Sequence, residues 1–157
     1  MKYSNGRPFT PEDVRNNILR VLDPNVPSQQ RANAKDIRSV RVINPYLIRI
    51  KLGSPSAILP NALVDIKMSD TKNVDTLASS GTGTGPYKVS SFVPNQSLVI
   101  VPNPNHFGGK ACLQRIEFVR EPDPTAMVTD FRAGNLQMIW QVRPTDVPAV
   151  RSSNSAF

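Results

Sequence analysis

The sequence predicts a mixed α/β (α+β) fold made of β-hairpins and a strand–helix–strand unit. Three observations carry this. Two segments alternate apolar and polar residues on either side of a turn, a helical stretch opens with a full set of N-terminal signals, and a strand, helix and strand pattern follow one another late in the chain. At 157 residues the chain suits one domain of ordinary size. That domain is expected over 1–151, with 152–157 as a flexible tail.

The first helix is expected from Thr10 to Leu22. Thr10 suits an N-cap and Pro11 the first helical position. Asp13, three residues after the cap, acts as a short version of the capping-box acid. Val14, Ile18, Val21 and Leu22 follow the spacing of one buried stripe. Asp23-Pro24 and Val26-Pro27 then end the helix, because proline cannot continue the hydrogen-bond ladder.

Residues 38–43 and 46–52 predict a hairpin about Asn44-Pro45. One face carries Val40, Val42, Ile48 and Ile50; the other carries Arg41, Arg49 and Lys51. Ser56 to Val64 reads as a short helix disturbed by Pro60, and Ser69 to Ala78 as a weak polar helix. Tyr87 to Phe92 and Leu98 to Val101 predict a second hairpin about Pro94-Asn95. Ile116 to Val119 is a strand, Asp123-Pro124 opens a helix and Gly134 stops it. Leu136 to Val142 reads as the returning strand, which implies a right-handed crossover, and Thr145 to Arg151 as a final helix.

The net charge of +7, from 19 basic and 12 acidic residues, makes a basic nucleic-acid-binding domain the alternative reading. The basic residues are scattered, with no run of five or six, so no nucleic-acid partner is expected. Met1 to Pro8 has no apolar core, so no signal peptide is visible in the chain. No stretch approaches the ~20 apolar residues that span a bilayer.

No catalytic constellation emerges. Cys112 is the single cysteine and is expected to be a small, partly buried packing residue. His106 is the single histidine, so neither a triad nor a metal site has companions, and no cofactor is expected. The loop Gly81-Thr82-Gly83-Thr84-Gly85 is followed by Pro86-Tyr87 rather than Lys-Ser/Thr, so it is a turn into the next strand and not a phosphate cradle. Glu12, Asp13, Asp70, Asp123 and Asp146 are assigned to helix starts, where negative charge meets the helix dipole. Tyr87 and Trp140 are expected in the core or a sheet.

Several phrases in fixed order carry a resemblance. Gly6-Arg7-Pro8-Phe9-Thr10-Pro11-Glu12-Asp13-Val14, Gly83-Thr84-Gly85-Pro86-Tyr87, Asn103-Pro104 to Gly108-Gly109, Asp123-Pro124-Thr125-Ala126 and Ala133-Gly134 resemble the family 5, peptide-type solute-binding proteins of bacterial ABC importers. The resemblance runs over about 4–151. Arg15 and Gln137 depart from it, standing where relatives carry an aromatic residue and an aspartate. It implies part of lobe I of a periplasmic-binding-protein-like fold, without catalysis. It also implies a peptide or similar small solute held by closure of two lobes in a longer parent. ABC transporter membrane subunits would be partners, and the location periplasmic or at the cell surface. Val26 to Asn33 corresponds to a cleft-facing stretch in relatives, which makes Gln29, Gln30 and Arg31 the candidate ligand-binding residues. Sheet edges left open would favour self-association. A stand-alone interaction domain reusing the lobe is a further alternative.

Overall fold

A computed structural model describes residues 1–76 and 81–152. In chain order the elements are α1 (Pro11–Leu22), α2 (Arg31–Ala34), β1 (Ile37–Asn44), β2 (Leu47–Leu52), α3 (Leu59–Asp65) and a 3₁₀ segment (Thr71–Thr76). Then come β3 (Tyr87–Val93), β4 (Ser97–Pro102), β5 (Ile116–Val119), α4 (Pro124–Arg132), a 3₁₀ turn (Pro144–Asp146) and α5 (Val147–Arg151). The strands form a β1-β2 pair and a three-stranded sheet in the order β3-β4-β5. The chain divides into two compact units, Met1–Val93 with Leu98–Glu117, and Pro94–Ser97 with Phe118–Phe157.

In the first unit, α1 starts where its cap requires. The Asp13 carboxylate accepts from the Thr10 N–H at 2.8 Å and from the Thr10 hydroxyl at 2.8 Å, so one acid satisfies the cap residue twice. The stripe of α1 buries Ile18 completely, against Ala34, Ile37, Val40 and Ile66. Val14, Val21, Leu22, Ile50 and Leu52 close around this core. β1 and β2 pair antiparallel, with Val40 opposite Ile50, Arg41 opposite Arg49 and Val42 opposite Ile48. The register obeys the predicted alternation, because a slip of β2 by one residue would turn Arg49 and Lys51 towards the core.

In the second unit, Asp123 caps α4 by accepting from the Thr125 N–H at 2.8 Å. Val128 and Phe131 are its buried residues, and Gly134 ends the helix at φ +81°.

Several expectations are corrected. Leu136 to Val142 is not a strand, so the strand–helix–strand crossover does not form; no described segment lies alongside to complete a hydrogen-bond ladder. The helix expected from Ser56 begins at Leu59, which puts Pro60 in the first turn, where its missing N–H costs nothing. The polar helix expected from Ser69 is a 3₁₀ segment over Thr71–Thr76 with Asn73 off helical geometry; residues 77–78 of that expectation lie outside the described residues. The loop after α1 coils into the single turn α2, because Ala34 is drawn into the core. Cys112 is exposed rather than buried. Trp140 is 79% exposed and lies in neither a core nor a sheet. Of the expected tail, 153–157 lies outside the described residues.

Truncation of the central α1 side chain tests this core. Ile18→Ala should cost about 2–5 kcal/mol, since it removes buried methyl groups and leaves a cavity. Urea unfolding should show a lower midpoint at an unchanged slope. A loss under ~0.5 kcal/mol would mean that Ile18 does not anchor α1.

Candidate functional site

The polar interior of the first unit is built on Arg7. Its guanidinium forks between two buried carboxylates, with Nη2 2.6 Å from Asp13 Oδ1 and Nε 3.0 Å from Asp70 Oδ1. Asp70 also accepts from Asn5 Nδ2 at 2.9 Å, Asn73 Nδ2 at 2.7 Å and the Lys72 N–H at 3.1 Å. The Arg7 guanidinium lies 4.6 Å from the centre of the buried Tyr3 ring, whose hydroxyl donates to the Ser69 carbonyl at 3.0 Å. Asn17, one turn on from Asp13, donates to the Asp13 and Ser69 carbonyls and accepts from the Ser69 N–H.

The titration of these groups follows from their partners. Burial alone would raise both carboxylates. The Arg7 hydrogen bonds outweigh it, helped at Asp13 by Thr10 and at Asp70 by Asn5, Asn73 and Lys72, so both are held below the usual carboxylate range. The hydrogen bond to Asp13, with that to Asp70, holds Arg7 protonated above its ordinary value. Burial, reinforced by the Asp13 charge, pushes the Tyr3 phenol up to about 12. Among the described residues no buried side-chain nitrogen or oxygen lacks a hydrogen-bond partner. The buried polar atoms of the cluster thus find their partners within the unit, and its perturbed groups hold structure.

The same knot gathers the phrases that stood apart in sequence. The turn Tyr3–Arg7 is closed by the Tyr3 N–H on the Arg7 carbonyl, with Gly6 at φ +87°, where a side chain would be strained. The Ser4 N–H donates to the Gly83 carbonyl at 2.8 Å, and the Asp70 N–H to the Thr82 carbonyl at 3.2 Å. From the far side, Asn103 donates through Nδ2 to the Gly85 carbonyl and through its N–H to the Pro86 carbonyl, each at 2.8 Å. His106 Nδ1 lies 3.1 Å from the Thr84 carbonyl, which makes Nδ1 the protonated nitrogen. The glycine loop thus spends its carbonyls on its neighbours and joins three segments of the unit.

The residues singled out beforehand lie elsewhere in this unit. Gln29 is exposed. Gln30 precedes α2, and its Oε1 accepts from the Ser28 hydroxyl at 3.2 Å. Arg31 donates through Nε to the Val21 carbonyl at 3.2 Å and through Nη2 to the carbonyls of Asp23 and Val26. It staples the loop to the end of α1, where unpaired helix carbonyls favour a cation. Beside this loop lies a cleft of about 140 Å³, bordered by Arg20, Val26, Gln30, Asp65, Lys67 and Ser69. Gln30 is the one of the three that borders it. Among the described residues no three His, Cys, Asp or Glu side chains group to hold a metal ion. The role of Arg7 was not foreseen. Its local signal was its place beside Gly6, but nothing in the sequence links it to Asp70.

Asp70→Asn should destabilise the chain by about 3 kcal/mol, because it leaves Arg7 half-paired among buried groups. The depressed carboxylates give stability that is present above their unfolded values of ~4 and is lost as pH falls below that range. Tyr3, raised to about 12, contributes below its unfolded value near 10, and that contribution fades between the two. Denaturation followed against pH should show both limbs, with the acid limb flattened in Asp70→Asn; an identical acid limb would detach Asp70 from acid sensitivity.

A family model described as "Bacterial extracellular solute-binding proteins, family 5 Middle" matches residues 1–156. The chain is 30% identical over 168 residues to the nickel-binding periplasmic protein of Escherichia coli (strain K12), covering 100% of this chain and 32% of that one. In fold it is similar to the PBP AgaA in complex with agropinic acid from A. tumefaciens R10, with a TM-score of 0.90 at 19% identity, covering 98% of this chain and 33% of that one. It is likewise similar to the oligopeptide-binding protein AppA of Bacillus subtilis in complex with a nonapeptide, with a TM-score of 0.85 at 20% identity over 98% and 32% of the two chains. The chain spans about a third of the length of the curated relatives it matches. These matches agree with the mixed α/β segment seen here, and the chain belongs to the bacterial extracellular solute-binding proteins, family 5, which bind solutes rather than transform them.

Proposed function

We propose that this chain is part of the solute-recognising lobe of an ABC importer's binding component, acting outside the cytoplasmic membrane. The family match over residues 1–156 carries the reading. Its solute is a short peptide or a molecule of similar size, enclosed when this lobe meets a second one. Transfer to the transporter's membrane subunits follows closure. The likeness to a protein solved around a nonapeptide supports the peptide class.

The nickel-binding relative supports a second reading, a nickel complex as cargo. In that reading the residues of this segment would contact the organic shell of a chelated metal.

Gln29, Gln30 and the cleft beside Gln30 are the proposed contact region in this segment. Two amide side chains can donate to peptide carbonyls and accept from peptide N–H groups. Arg31 is proposed as the residue that holds this loop in place. Alone, one wall of a cleft leaves most of a peptide in water, so affinity for short peptides should be weaker than ~100 μM. Calorimetry giving micromolar binding by the 157-residue chain alone would overturn the two-lobe reading. Amide chemical shifts at high peptide concentration should move around 20–31 and 65–69; movement confined elsewhere would remove Gln29 and Gln30 from the site.

A further inference from the structure

The outer face of the β1-β2 hairpin has a pattern that lies outside the proposed contact region. Arg41 stands directly opposite Arg49, and Ser39 opposite Lys51, on the face turned away from Val40 and Ile50. Like charges in directly opposed positions repel across ~5 Å. No carboxylate among the described residues lies within ion-pair distance of Arg41, Arg49 or Lys51. All three are exposed. The repulsion is thus left for something outside the chain to relieve.

Towards the turn, the same face changes character. Ile43 is 45% exposed, Leu47 50% and Tyr46 97%. Leu47 shares a face with Arg49 by strand alternation, and Ile43 stands at the register shift between Val42 and Asn44, where the bulge leaves its side chain exposed beside the turn. Two residues of strand separate each apolar side chain from its arginine, a distance of ~7 Å. The hairpin is therefore a wedge with an apolar, aromatic tip and a basic girdle one step behind. A tyrosine ring with a polar end suits the boundary between lipid tails and headgroups, and cations suit anionic headgroups just above it. The step matches the ~5–10 Å depth at which amphipathic elements sit in an interface. An acidic protein patch would meet the cations but would give the tip no apolar medium.

From this geometry we infer that the β1-β2 hairpin docks tip-first onto an anionic lipid surface, with Tyr46, Ile43 and Leu47 in the interface and Arg41, Arg49 and Lys51 on the headgroups. This is surface attachment and not insertion, for no helix among the described residues is long and apolar enough to cross a membrane. It is independent of what the cleft binds.

Co-sedimentation of the chain with vesicles tests it. The chain should partition onto phosphatidylcholine vesicles containing about 30% phosphatidylglycerol, far less onto pure phosphatidylcholine, and be released as salt screens the headgroups. Arg41→Gln with Arg49→Gln should weaken partitioning about thirtyfold, as two interfacial cations are lost. Tyr46→Ala should weaken it several-fold. All are exposed positions, so circular dichroism should report an unchanged fold. No partitioning by the unaltered chain at low salt, or equal partitioning by the double variant, would overturn the inference. Displacement by soluble polyglutamate with no effect of Tyr46→Ala would overturn it in favour of an acidic protein surface.

Discussion

Arg7 offers one positive charge to two carboxylates that have almost no access to water. Removing a carboxylate from water costs several kcal/mol, and one guanidinium cannot offset two such costs alone. The balance is made up by neutral donors: the Thr10 hydroxyl and N–H at Asp13, and Asn5, Asn73 and the Lys72 N–H at Asp70. Each shares its carboxylate oxygen with another donor, so losing one thins the shell around a buried charge. The N-terminal arm, the start of α1 and the stretch after α3 are therefore fixed to one another by polar geometry, while the apolar core around Ile18 holds α1 to β1.

This constraint explains what the most recognisable phrases are for. Gly6-Arg7-Pro8, the Gly81–Gly85 loop and Asn103-Pro104-Asn105-His106 meet through backbone carbonyls and amides. They are the seams of the fold. Their carbonyls at Thr82, Gly83, Thr84, Gly85 and Pro86 are spent on joining neighbouring segments, which is a structural role. Arg31 serves the frame too, by donating to the Val21 and Asp23 carbonyls at the end of α1 and to the Val26 carbonyl in the loop that follows.

The β1-β2 hairpin makes a similar division by face. Its inner side completes the core, and its outer side collects cations that nothing in the described chain neutralises. An antiparallel pair can carry both roles because its side chains alternate strictly between two environments. The repulsion of Arg41 and Arg49 is tolerated because the inner face pins the register.

Elements whose signals are local were legible in the chain itself. Thr10-Pro11 with Asp13 fixed the start of α1, Asn44-Pro45 and Pro94-Asn95 the two hairpin turns, and Asp123 with Gly134 the bounds of α4. The family was legible too, because its phrases keep their order. Tertiary structure alone decided the rest. Leu136 to Val142 reads as a strand, but a strand exists only with a neighbour to take its hydrogen bonds, and no described segment supplies one. Asp13 and Asp70 looked like helix-start acids of the same kind; folding brought both to one guanidinium, across a separation in sequence that no local pattern records.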